Sequence, residues 1–150
     1  MSKQEVLPMK RNWIIGAAVS LTMLGTATAV MAGFGEDREA TMKEVGKSMK
    51  ALAEIAKGAA YDAAIVEQNT TAMAAAFEKF GTLFPAGSET ASKAASPDIW
   101  ANMEDFNTLR TNAQTAALKV QTSGQDGFKA AFGELAATCK ACHTKYRLAD

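Results

Sequence analysis

The chain has two cysteines and one histidine, and all three stand together in the run Cys139-Lys140-Ala141-Cys142-His143. On a helix, thiols at i and i+3 and an imidazole at i+4 share one face, so the three can address a single ligand. Covalent attachment of a haem needs this set: two thiols add to the two vinyl groups of one porphyrin while an imidazole reaches the iron from the same side. Other chemistries fit the trio less well. A thioredoxin-like redox pair needs a βαβ setting, and no strand pattern lies near it. A structural zinc site needs four ligands, and the sequence holds no further Cys or His. A disulfide between the two cysteines stays open for the apoprotein, but it would leave the adjacent histidine a coincidence.

The elements that must hold these residues follow from the spacing of apolar side chains. Phe128, Phe132, Leu135, Cys139, Cys142 and Tyr146 recur at steps of three and four, which predicts a last helix with both cysteines on its buried face. A haem attached there must lie against that face, between helices. Met42, Val45, Met49, Leu52 and Ile55 mark a first helix over 36–57. A break at 58–60 precedes a second helix from Tyr61 or Asp62 to about Phe80, with Ile65, Met73, Phe77 and Phe80 on one face. Gly81 and the run Phe84-Pro85-Ala86-Gly87-Ser88 end it, and residues 85–96 read as a long ordered crossover. Ser96, Pro97 and Asp98 supply an N-cap, a proline at the first helical position and an early acidic residue for a third helix. That helix carries Ile99, Met103, Phe106, Ala113, Ala117 and Val120, and a turn at 123–127 leads into the last. The expected fold is all-α, an antiparallel four-helix bundle with the haem in its core near the C-terminal helix.

Residues 1–32 read as a secretory signal peptide, with Lys10 and Arg11 before the apolar stretch Trp13 to Leu24 and small residues up to Ala32. Cleavage after Ala32 is expected, with Ala27-Thr28-Ala29 as a second possible site. An uncleaved anchor is the competing reading, because residues 13–34 are uncharged and about long enough to span a bilayer. The mature chain, residues 33–150, would form one domain in the periplasm of a bacterium. Cleavage removes Lys3, Lys10 and Arg11 against Glu5, so a chain balanced at 16 basic and 16 acidic residues becomes slightly acidic. No basic stripe marks a nucleic-acid partner.

The closing motif, Cys139-Lys140-Ala141-Cys142-His143-Thr144-Lys145-Tyr146-Arg147, resembles that of the class II c-type cytochromes, the cytochrome c′ family. Its place at the C-terminus is discriminating, since class I cytochromes c carry the motif near the N-terminus. Weaker matches are Arg38-Glu39-Ala40-Thr41-Met42-Lys43, the Phe84 to Ser88 run, and Pro97-Asp98-Ile99-Trp100. The resemblance implies one covalent haem c, held by Cys139 and Cys142, with His143 as proximal iron ligand. It sets Arg38 near the haem propionates, against the plain alternative of a solvated charge at a helix end. Arg147, i+4 from His143, would modulate the proximal face, or simply act as a favourable cation at a helix C-terminus.

Met42 matches the distal position, and two functions diverge there. In five-coordinate members of the resembled family the distal residue only occludes the iron, which can bind gases such as nitric oxide. In low-spin members a methionine closes the sixth position, raising the potential and favouring electron transfer. With no second histidine in the chain, a methionine is the plausible strong sixth ligand. Met42 is preferred over Met49, Met73 and Met103, which match no family position; the plain alternative is one more core methionine. Trp100, Phe84 and Phe80 read as core or haem-contact aromatics. The leading expectation is a single-haem electron carrier, not an enzyme, working with periplasmic redox partner proteins. The alternatives are a cytochrome c′ that binds or sequesters nitric oxide and, more weakly, a peroxidase-like enzyme lacking a distal histidine. The resemblance also allows an antiparallel homodimer through the first two helices.

Overall fold

The computed structural model describes residues 25–148, with side chains from Gly33 onward. Five helices follow in order: α1 Gly25–Ala56, α2 Ala63–Gly81, α3 Asp98–Ala101, α4 Met103–Thr122 and α5 Gly124–Tyr146. Apart from one isolated bridge between Ala95 and Arg147, the described residues carry no strand pairing. Helix α1 begins upstream of the expected 36–57 and runs through the expected cleavage point. The leader's first 24 residues lie outside the described residues, and none of the described helices is long and apolar enough to cross a membrane.

The helices end where local chemistry dictates. Gly58, at φ +119°, takes the left-handed conformation that closes α1, and the Asp62 carboxylate caps α2 by accepting from the Ala64 and Ile65 amides. Gly124, at φ +63°, reverses the chain directly between α4 and α5, a tighter junction than the turn expected over 123–127. The third helical pattern is interrupted at Asn102, which leaves α3 as a single short turn before α4. Ser96 still serves the start of α3, its hydroxyl accepting from the Asp98 amide.

Helices α1, α2, α4 and α5 pack as an antiparallel four-helix bundle. Val66, Thr70, Met73 and Phe77 form the buried stripe of α2, so Val66 takes the place expected for Ile65, which is exposed. The buried Thr70 hydroxyl is satisfied by donating to the Val66 carbonyl. On α1 the buried stripe is Arg38, Thr41, Val45, Ser48 and Leu52, at steps of three and four, while Met42 and Met49 are only half-buried. Leu52, Met73, Ala117, Val120 and Leu135, all fully buried, centre the main core; each Leu there contributes roughly 1.5–3 kcal/mol. A second, aromatic cluster joins Leu83, Phe84, Ile99, Phe106 and Tyr146 at the other end of the bundle. Cys139 packs against the first cluster and Cys142 against the second, so the two thiols straddle their junction.

Candidate functional site

Among neighbouring helices of the bundle, α1 and α5 touch least, and a cavity of about 860 Å³ opens beside them. Cys139, Cys142 and His143 reach it from α5, and Met42, Val45 and Met49 from α1. Phe77, Phe80, Phe84 and Phe106 line it as well, and crossover residues 91–95 close one side. The partial burial of Met42 and Met49 has its cause here, because both line the cavity as well as packing against the main core.

The electrostatics favour neutral donors. Burial pushes the Cys139 thiol up and the Cys142 thiol up to about 11, the latter helped by charge on Cys139 and Asp105. The two cysteines are not joined to each other as a disulfide. His143 is pulled below the usual imidazole value, first by desolvation and then by Arg147, so its neutral form with a free lone pair is favoured. A haem fits this donor set: an apolar cavity of ligand-binding size, two protonated thiols suited to becoming uncharged thioethers, and a neutral imidazole beside them. The described residues hold no group of three or more His, Cys, Asp or Glu side chains placed for a metal ion, so a structural zinc site has no ligand set.

Arg38 is not a solvated charge. It is buried at 3% exposure, donating from Nε to the Leu83 carbonyl at 2.9 Å, from Nη1 to the Ser88 carbonyl at 3.1 Å and from Nη2 to Ser88 Oγ at 2.5 Å. Its guanidinium also stands 4.4 Å from the Phe84 ring centroid and 5.1 Å from that of Trp100. Trp100 fixes this cage by donating from Nε1 to the Pro85 carbonyl. Arg38 lines the cavity too, and three used donors leave two of its five N–H groups for a ligand. Arg147 follows the last turn of α5, its backbone amide donating to the His143 carbonyl, and its side chain faces the same cavity.

The structure thus brings Cys139, Cys142, His143, Met42, Arg38 and Arg147 to one cavity. It also brings residues to which the sequence pattern assigned no role. Ser88 anchors Arg38, and Asp105 on α4 accepts from the Tyr146 hydroxyl at 2.6 Å and from Lys145 Nζ at 3.0 Å. Nothing local signals either contact, because the partners lie 40 to 50 residues apart.

Comparison with known proteins agrees with this geometry. A family model described as Cytochrome C' matches residues 35–147. The chain is 45% identical over 121 residues to a cytochrome c-556 of Agrobacterium tumefaciens (strain II Chrys), a match covering 78% of this chain and 98% of that one. A cytochrome c' of Rhodopseudomonas palustris is 33% identical over 138 residues, covering 89% and 94% of the two chains. Its solved namesake from that organism superposes with a TM-score of 0.73 at 32% identity, over 78% of this chain and 97% of the other. A nitric oxide complex of a variant cytochrome c prime from Alcaligenes xylosoxidans gives a TM-score of 0.74 at 26% identity, over 80% and 97%.

Proposed function

Because the chain belongs to the cytochrome c′ family and so carries covalent haem c, we propose that it is a periplasmic single-electron carrier with its haem seated between α1 and α5. The observation that carries this reading is the shared cavity: Cys139, Cys142 and His143 line it from one helix and Met42 from the other. Cys139 and Cys142 would hold the haem through thioether bonds, and His143 would supply its imidazole to the iron. Bound haem supplies the one-electron couple. Met42 would offer the iron a soft thioether, which favours the reduced state and pure electron transfer. Arg38 and Arg147 offer positive charge at the cavity wall, suited to the propionates and the proximal face respectively. The protein's partners are then periplasmic redox proteins. Removal of residues 1–32 as a signal peptide leaves every one of these side chains on the mature domain, residues 33–150.

A second reading is favoured by one observation. Val45 and Met49 line the cavity along α1 beside Met42, so that stretch of the distal wall is apolar and offers no strong polar ligand of its own, and a relative of the same fold has been solved with nitric oxide. Under this reading Met42 only shields the site and a small gas takes the sixth position. Absorption spectra of the oxidised and reduced protein, with and without carbon monoxide or nitric oxide, separate the two. Low-spin spectra unmoved by either gas support the carrier. High-spin spectra that shift on gas addition overturn it in favour of gas binding.

A further inference from the structure

Asp105 lies in the first turn of α4, a location where a carboxylate complements the helix dipole. It is engaged by two consecutive residues at the end of α5. The Tyr146 hydroxyl donates to Oδ2 at 2.6 Å, and Lys145 Nζ donates to Oδ2 at 3.0 Å and to Oδ1 at 3.2 Å. The Tyr146 ring is buried and stands edge-on to Phe106, the residue after Asp105, with centroids 5.5 Å apart and planes at 90°. Cys142 packs against that same aromatic cluster. The crossover grips the same turn as well: the Ser96 amide donates to the Tyr146 carbonyl at 3.0 Å and the Leu148 amide to the Ala94 carbonyl at 2.9 Å. The turn that bears His143 is therefore held from both α4 and the crossover, and Asp105 is the charge that hydrogen-bonds it directly.

We propose that Asp105 is a positioning residue: its carboxylate fixes the His143-bearing turn of α5 through Tyr146 and places a negative charge beside Cys142 that holds the site's reduction potential down. This rests on the reading that Cys139, Cys142 and His143 hold the haem. The two actions can be separated by chemistry. Asp105→Asn keeps an amide oxygen to accept from Tyr146 and removes the charge. Tyr146→Phe keeps the ring against Phe106 and the Asp105–Lys145 pair, and removes the hydrogen bond.

The experiment measures two quantities on the full haem-loaded protein and both variants: midpoint potential by spectroelectrochemistry, and amide exchange at residues 143–148. Asp105→Asn is expected to raise the potential, changing the reduced-to-oxidised ratio at fixed ambient potential by roughly two- to tenfold. Tyr146→Phe is expected to leave the potential near wild type and speed exchange of the last α5 amides severalfold. A potential unchanged by Asp105→Asn overturns the charge role, and exchange unchanged by Tyr146→Phe overturns the positioning role. The mass of the denatured wild-type protein is recorded beside them. A mass without haem refutes the attachment reading itself, and the exchange comparison still decides the Asp105–Tyr146 link on the same samples.

Discussion

Replacing Arg38 by methionine tests the cage around that side chain, because methionine keeps an unbranched stem of similar reach and deletes the charge and every donor. Three hydrogen bonds are lost, and two of their acceptors are backbone carbonyls of the buried residues Leu83 and Ser88. The Leu83 carbonyl is left without a partner, at roughly 1–3 kcal/mol, whereas the Ser88 carbonyl keeps the Ala91 amide and the Ser88 hydroxyl keeps the Pro85 carbonyl, so each of those two lost bonds costs about 0.5–1.5 kcal/mol. The contacts with Phe84 and Trp100 contribute about 0.5–1 kcal/mol apiece. Against this stands relief from burying a guanidinium that, among the described residues, has no ion-pair partner; desolvation already pulls its pKa down, opposed by Glu89. That relief is on the order of 2 kcal/mol. The net expectation is a loss of about 2–5 kcal/mol. Urea unfolding followed by helical circular dichroism should show the midpoint falling by roughly 1–3 M at unchanged slope. Ser88→Ala should cost less in this background than in the wild type, because its hydroxyl has already lost Arg38 and keeps only its bond to the Pro85 carbonyl. A loss below about 0.5 kcal/mol, the size of a surface substitution, would refute the cage. So would full additivity of the two substitutions.

Four further outcomes follow from other parts of the molecule. Met42→Leu should keep the fold at a cost below about 1.5 kcal/mol while converting a low-spin spectrum to high-spin and admitting carbon monoxide; an unchanged spectrum refutes ligation. N-terminal sequencing of protein recovered from a periplasmic extract should begin close to Gly33 or Val30, and recovery only from washed membranes with the leader intact refutes cleavage. Gly35→Ala should destabilise by roughly 1–3 kcal/mol in urea, because the new Cβ would stand 1.8 Å from the Ala91 carbonyl oxygen and backbone cannot rotate away; a neutral result refutes this close approach of α1 to the crossover. The Asp105 hydrogen bond pushes the Tyr146 hydroxyl up to about 12, so the unfolded chain, at about 10, releases this proton first. The stability it contributes is complete below pH of about 10 and is lost as pH rises toward 12; an alkaline decline of equal size in Tyr146→Phe refutes the assignment.

What could be read from the sequence divides by the range of the contacts involved. The stripe on α5 was legible because period and chemistry coincide: Phe128, Leu135 and Tyr146 are buried as their spacing requires, and the two cysteines continue the same face. The bundle followed from four such patterns. On α1 the apolar residues mislead, since Thr41, Ser48 and Arg38 occupy buried positions while Met42 and Met49 do not. A hydrophobicity pattern records which side chains avoid water, and it cannot distinguish a face turned to another helix from one turned to a cavity. The methionines lie at the edge of the core where it meets that cavity, and Arg38 is carried into the interior by carbonyls 45 and 50 residues away. The same limit hid Asp105, an ordinary first-turn acid until the fold sets it beside Tyr146. Attachment chemistry is local, five residues on little more than one helical turn, and so it is written in one place. The geometry that would tune it is assembled by α1, the crossover and α4, each far from the motif in sequence. On the reading proposed above, residues such as Met42 and Asp105 would tune the site from outside the motif, with no change in the motif itself.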